Sequence, residues 1–567
     1  MKVDKKKGLL LPLAVVMMLA AVLSACGNNN KNSSNEPSSS ASSSASSSAS
    51  ASPAAVKKGG EFRFTLASEP PSLDPALMTD AQSSIVAAGL YEGLMRLNSA
   101  GEPQPAIAKE YSVSDDGTVY TFKLRDDAVW SNGDKITAND FVYSWKRALN
   151  PETASEYAYM LFYIKGGEEY NSGKGSADDV GVKAIDDTTL EVTLKSSTPY
   201  FPSLVAHYTY LPVHQATVEA NKAWAAEAST IVSNGPFLLK EWKHEDRLVL
   251  EPNPNYFDKD KVNFSKVTIS LVEDENTVYS LFETGDIDWI GAQAGSVPTD
   301  RTKQVIDDGS AKVQAIASTY YYVFNTKKAP FDNVKIRKAF SMAIDRQSII
   351  DNVTQANQTP AYALIPPSIA GTDGKLFREL YPDTNYFSEN VDDAKKLLAD
   401  GLAEEKLTKL PAITLLYNTS EGHKKIAEAI ADMWRKNLGV EVNLQNQEWG
   451  TFLETRDAGQ FDVARAGWGA DFNHAINFSY DLINSKSGNN DGKYANADVD
   501  KWLDESLTAP DEKSRLDLIA KAEKQAIDDM AVLPIYYYTT VTMIKDGFEG
   551  VTSDYSGHID WVFGSKK

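Results

Sequence analysis

The segment Val463–Asn473, VARAGWGADFN, sets Arg465 and Asp471 on either side of Trp468, in a stretch loosened by Gly467 and Gly469. Two chemistries suit this arrangement. The charges can neutralise each other as an ion pair, or each can hold one end of a ligand that carries both. A guanidinium fits a carboxylate because its planar fork donates two parallel hydrogen bonds, and a carboxylate enclosed beside an ammonium is paired and hydrogen-bonded at once. The glycines would let another backbone approach closely.

Catalytic templates are scarce. The chain has six histidines, His207, His214, His244, His423, His474 and His558, and no HExxH motif. Its one cysteine, Cys26, rules out thiolate metal centres. There is no GxSxG elbow, no GxxxxGK[ST] loop and no GxGxxG after a strand pattern. Ser, His and Asp are all present, so an unorthodox triad, and with it a surface hydrolase, stays open as an alternative. His207 and His214 bracket the β-rich aromatic run HYTYLPVH and read as core or edge histidines rather than metal ligands. Neither a metal nor a cofactor is expected.

The N-terminus addresses location. Lys2, Lys5, Lys6 and Lys7 precede an apolar run of 15 residues from Leu9 to Leu23, too short for an ordinary membrane span and flanked as export signals are. Ser24 and Ala25 then precede Cys26, which resembles a bacterial lipobox: residues 1–25 are expected to be removed and Cys26 to carry lipid. Residues 26–58 follow as a spacer dominated by Ser, Asn and Ala, with nothing but Ser and Ala from Ser38 to Ser52. Such a composition cannot bury a core. As a flexible coil of roughly 30 residues it would hold the folded part on the order of 30 Å from the membrane.

From about Gly59 onward, roughly 500 residues with ordinary apolar content suffice for two or three lobes. The whole chain carries a net charge of −21, and residues 1–25 are themselves basic, so the mature chain is more acidic still. That balance argues against nucleic acid as a partner. Strand patterns at EFRFTLA (61–67), YTFKLR (120–125), TTLEVTL (188–194), DRLVLEP (246–252) and AITLLYN (412–418) alternate with helical ones. TANDFVYSWKRAL (137–149) offers Thr137 or Asn139 as its N-cap, and KKIAEAIADMWRKNLG closes on Gly439 as its C-cap. A mixed α/β architecture follows, without the repeat of a barrel or solenoid.

Five longer stretches extend this reading: WSNGDKITANDFVYSWKRALNPETAS (130–155), SNGPFLLKEWKHEDRLVLEPNPNYFD (233–258), LFETGDIDWI (281–290), YYYVFNTKKAPFDNVKIRKAFSMAIDR (320–346) and NQEWGTFLETRDAGQFDVARAGWGADFN (446–473). In order and spacing they resemble the oligopeptide-binding proteins of bacterial ABC importers, extracellular solute-binding family 5, from about Gly60 to the C-terminus. The resemblance implies a two-lobed periplasmic-binding-protein-like α/β fold of the class II, cluster C type, with an extra domain. Lobe I would take 59–92, 215–317 and 539–567, the extra domain II 93–214, and lobe III 318–538. Two crossovers would form a hinge, and ligand would shift an open and closed equilibrium toward closed.

A free peptide has an extended backbone, an ammonium at one end and a carboxylate at the other, so a receptor for many peptides should grip those features and leave the side chains roomy, hydrated pockets. The resemblance assigns the ammonium to Asp471, backbone contacts to Gly467, Trp468 and Gly469, and the carboxylate, at graded distances, to Arg465, Arg456 and His423. It places Tyr157, Trp449 and Tyr538 in the cleft wall. Thr79 falls where some members have a glutamate toward the ligand, so a second acidic contact is absent here or moved to Asp80. The implied partners are short oligopeptides, a membrane ABC permease, and the extracytoplasmic face of the cell membrane through the lipid; a monomer without catalysis is expected. Relatives of the same fold bind nickel complexes, dipeptides, cell-wall peptides or pheromones, and Arg465 with Asp471 favours an ordinary zwitterionic peptide.

Overall fold

Strand Glu61–Leu66 buries Phe62, Phe64 and Leu66 and pairs in parallel with Lys266–Leu271. Antiparallel strands Arg247–Pro252 and Phe237–Lys243 complete a four-stranded sheet. Its apolar face packs on Trp561, whose ring fills the space that a side chain at Gly89 would need. These elements belong to a computed structural model that describes residues 59–567, all within the unit Ala55–Lys567. The export segment, Cys26 and the Ser/Ala spacer lie outside the described residues.

After Leu66 the chain leaves this sheet and rejoins it only at Phe237. In between it builds a second, antiparallel sheet in the order 108–113, 119–124, 189–193, 182–186. Alternation places Tyr120, Phe122 and Leu124 inward, where they meet Leu190, Val192 and the helix Ala138–Leu149. That helix starts as its sequence indicates: Thr137 and Asp140 form a reciprocal capping box.

The third sheet is mixed and centres on two strands of 13 residues each, Lys312–Phe324 and Val532–Ile544. Its path runs 289–290, 532–544, 312–324, 463–469, 413–418, 442–447, with 359–360 on strand 532–544. The pairing of the two long strands loses register between Ala315 and Thr319. The C-terminal end of strand 532–544 lies beside Trp289–Ile290, and the C-terminal half of strand 312–324 lies beside Val463–Gly469. Residues 317/318 and 538/539, the lobe boundaries that the resemblance implies, lie within this irregular stretch. Helix Glu421–Leu438 covers the sheet with Ile426, Ala427, Ile430 and Trp434, the i, i+4 face its periodicity predicts, and stops at Gly439 with φ of 69°.

Candidate functional site

The strand Val463–Gly469 carries the site, and its two edges are unlike. One edge pairs with Ser318–Phe324 along its whole length. The other pairs with Ile413–Asn418 only at Val463 and Ala464, so from Arg465 to Gly469 no strand partner occupies it among the described residues. The bare backbone there borders a cavity of about 1140 Å³. All eleven residues nominated from the sequence, Thr79, Tyr157, His423, Trp449, Arg456, Arg465, Gly467, Trp468, Gly469, Asp471 and Tyr538, line that one cavity.

Arg465 is 9 % exposed. Its Nη2 donates to the Tyr538 hydroxyl at 2.6 Å and its Nη1 to Asn418 Oδ1 at 3.4 Å, while the guanidinium lies 4.9 Å over the Tyr320 ring. No carboxylate of the described residues comes within ion-pair distance, so the charge rests on phenols and an amide. Burial works against that charge, but the hydroxyls of Tyr538, Tyr320 and Tyr536 outweigh it and hold the pKa above the ordinary arginine value. Gly467 leaves room for the arrangement. A Cβ there would stand 3.0 Å from both Arg465 Nη2 and the Tyr538 hydroxyl, the two atoms that must meet.

Arg456 differs. Its Nε lies 2.9 Å from Asp491 Oδ2, a carboxylate 4 % exposed, so this cation is already paired within the protein. His423 sits in the first turn of helix 421–438, its Nδ1 3.3 Å from the Tyr320 hydroxyl. Burial, and then the charge of Arg465, push its pKa well below the usual histidine range, so the folded protein holds it neutral. The unfolded chain binds a proton on His423 below about pH 6.5 that the folded one refuses, so the contribution of this residue to stability falls as the pH falls through that value. Urea titrations without ligand at pH 7, 6 and 5 should show wild-type protein losing stability relative to His423→Gln by at most about 1.4 kcal/mol per pH unit, while the raised carboxyls of Glu156, Asp491 and Asp560 act in the opposite sense in both proteins.

At the opposite end, Asp471 follows the strand. Its Oδ2 accepts from Asn477 Nδ2 at 2.9 Å and its backbone N–H donates to Asn477 Oδ1 at 2.8 Å. His207 Nε2 lies 3.5 Å from Asp471 Oδ1. His207 Nδ1 accepts from the Thr209 N–H at 3.3 Å, which leaves Nε2, the nitrogen facing the carboxylate, as the donor. Trp468 lies parallel to Tyr157 at 6.3 Å, and Tyr157 stacks in turn on His207 at 5.2 Å. Trp449 stacks on Phe452 at 6.0 Å.

Sequence reading missed several members. His207 was expected in the core or at an edge; it is buried, as expected, but its ring faces Asp471. Asn477 stands in a helix, Ile476–Ile483, whose eight residues are all buried. A polar side chain in such a helix was the available signal. Asp80 lines the cavity near Thr79, yet both its oxygens serve Ser83, at 3.1 Å to the backbone N–H and 2.6 Å to the hydroxyl, as the N-cap of helix Ala81–Leu90. It therefore caps that helix while also lining the cavity.

Comparison with known proteins places the chain. Residues 102–490 match the model of the bacterial extracellular solute-binding proteins, family 5 Middle. The oligopeptide-binding protein OppA of Bacillus subtilis is 44 % identical over 499 residues, covering 87 % of this chain and 90 % of that one. The crystal structure of Haemophilus influenzae OppA in complex with RPPGFSPFR superposes with a TM-score of 0.83 at 34 % identity, covering 90 % and 99 % of the two chains. With the unliganded open form of the murein tripeptide-binding protein MppA, also 34 % identical and covering 90 % and 98 %, the TM-score is 0.61. The two-lobed α/β fold expected from the sequence is the fold of these proteins. The chain belongs to family 5 of the bacterial extracellular solute-binding proteins, which hold their ligands without transforming them.

Proposed function

We propose that this protein captures short oligopeptides outside the cytoplasm and delivers them to a membrane ABC permease, anchored to the extracytoplasmic face of the membrane by lipid on Cys26. The observation that carries the reading is the unpartnered strand edge from Arg465 to Gly469, with an uncompensated guanidinium at one end and the Asp471 carboxylate just beyond the other. An extended peptide would add to that edge by main-chain hydrogen bonds, as β-strand addition does elsewhere. Its ammonium would meet Asp471 and its carboxylate Arg465, with His423 as a neutral donor nearby. Tyr157, Trp449, Trp468 and Tyr538 would wall the side-chain space, with Thr79 at its edge. Arg456, paired with Asp491, would serve a ligand carboxylate only by sharing that partner.

We assign lobe I to 59–92, 215–317 and 539–567, domain II to 93–214 and lobe III to 318–538, with the irregular stretch of strand 312–324 as part of the hinge. In this division two of the hydrogen bonds between lobe I and lobe III come from the start of helix 421–438. The Ser420 hydroxyl donates to Glu275 Oε1 at 3.0 Å, and Lys425 Nζ donates to the Thr299 hydroxyl at 2.5 Å. The higher similarity to the peptide complex than to the open form supports reading this as the closed arrangement. Glu275→Ala should therefore weaken every peptide by the same factor, about tenfold for the loss of one hydrogen bond to a charged group. Small-angle scattering should show a larger ligand-free radius of gyration in the variant; an unchanged radius and affinity would remove Glu275 from closure.

Native mass spectrometry of protein purified from cells, followed by calorimetry with the peptides found, tests the function directly. Peptides released intact, and a melting temperature that rises with peptide concentration, are expected. No shift with any peptide pool would require another ligand class.

A further inference from the structure

Asn477 uses its whole hydrogen-bonding capacity on the anchor. Its carbonyl oxygen accepts from the backbone N–H of Asp471 at 2.8 Å and from Trp468 Nε1 at 3.3 Å. Its amide nitrogen donates to Asp471 Oδ2 at 2.9 Å and to Asp481 Oδ2. Two donors and two acceptor sites are all that an asparagine side chain owns, and here each has a partner. This also fixes the amide's orientation, because a flip would turn the NH2 group against two N–H donors and the oxygen against two carboxylates. The side chain is fully buried.

The surroundings explain the need. Asp471 lies in the loop just beyond strand 463–469, while Asp481 is buried one helical turn beyond Asn477. Burial, and then the negative charge of Asp471, push the Asp481 carboxyl well above the usual range. Two carboxylates this close in a buried site repel each other unless a hydrogen-bond donor stands between them. A bridging amide that gives one N–H to each separates them and keeps Asp471 in a fixed rotamer with Oδ1 turned toward the His207 side.

We propose that Asn477 is a positioning residue for recognition of the ligand's amino terminus: it holds the Asp471 carboxylate aimed, and ties it to the Trp468 ring that walls the same end of the cavity. This rests on the peptide reading above. Asn477 itself would touch no ligand. It acts on one terminus only, so its loss should alter discrimination rather than binding in general.

The test compares dissociation constants for a tripeptide, its N-acetylated form and its C-terminal amide, by calorimetry, in wild-type protein, Asn477→Leu and Asn477→Ser. Leucine keeps the volume and removes every hydrogen bond; serine leaves room for water. The expected result is a free-to-acetylated preference that falls at least tenfold in Asn477→Leu and less in Asn477→Ser, with the free-to-amidated preference unchanged. A preference retained in both variants overturns the proposal, and so does equal weakening of all three peptides, which is what a merely structural residue would give. Should a variant fail to fold, wild-type protein labelled with 15N-asparagine decides. The Asn477 side-chain protons, assigned through their contact with the Trp468 indole, should shift with the free tripeptide and stay put with the acetylated one; identical spectra for the two would overturn it. If wild-type protein itself binds free and acetylated peptide alike, the failure belongs to the peptide-terminus reading and not to Asn477.

Discussion

Asp471→Ala should weaken binding of a peptide with a free amino terminus by about 2–5 kcal/mol, roughly 30- to 4,000-fold, and leave the N-acetylated peptide nearly as it was. The size follows from what the variant leaves behind. An ammonium enclosed in the cavity keeps its desolvation cost but loses the anion that offsets it, and removing one partner of an enclosed charge pair costs more than the pair contributes net. Asp471 is suited to this because its backbone N–H and Oδ2 are already fixed by Asn477, so little ordering remains to be done when ligand arrives. Calorimetry with the peptide pair measures the effect. An equal loss for both peptides would mean that Asp471 supports the loop and does not meet the ligand.

Arg465→Met should produce the mirror effect at the other terminus: about a 100-fold loss for a peptide with a free carboxylate, or ~3 kcal/mol, and little change for the C-terminal amide. Met keeps much of the stem's volume, so the loss reports the charge rather than a cavity. The effect should exceed that of Arg456→Met, because Arg456 is committed to Asp491 whereas Arg465 has only Tyr538, Asn418 and the Tyr320 ring. Arg465→Lys should recover only part of the affinity, since an ammonium offers no planar fork for two parallel bonds. If Arg456→Met cost more than Arg465→Met for a tripeptide, the carboxylate would sit deeper along the cavity than proposed.

Both predictions turn on residues whose types were visible in the sequence and whose circumstances were not. Arg456 and Arg465 look alike as letters, each within a few residues of an acidic neighbour, Asp457 and Asp471. In the fold neither of those aspartates lies within ion-pair distance of its neighbour: Arg456 finds Asp491 from a distant loop, and Arg465 finds phenols from two other strands. Asp80 shows the same limit. Its position after Thr79 suggests a replacement acid, and only the fold shows that the same carboxylate caps the helix that begins at Ala81.

By itself the sequence determined the local grammar: the helix caps at Thr137 and Gly439, the alternation that buries Phe62 and Phe64, and the five stretches whose order marks the family. Those features depend on neighbours a few residues apart, so periodicity and side-chain chemistry suffice to find them. The tertiary structure alone decided which cation stays uncompensated, that His207 turns to Asp471, that Asn477 braces it, and that the strand edge from Arg465 to Gly469 is left bare. Each of these depends on a partner brought from far along the chain, or on the lack of one, and the free energy of a buried charge is set by that partner and by exclusion of water, neither of which is written in the residue itself.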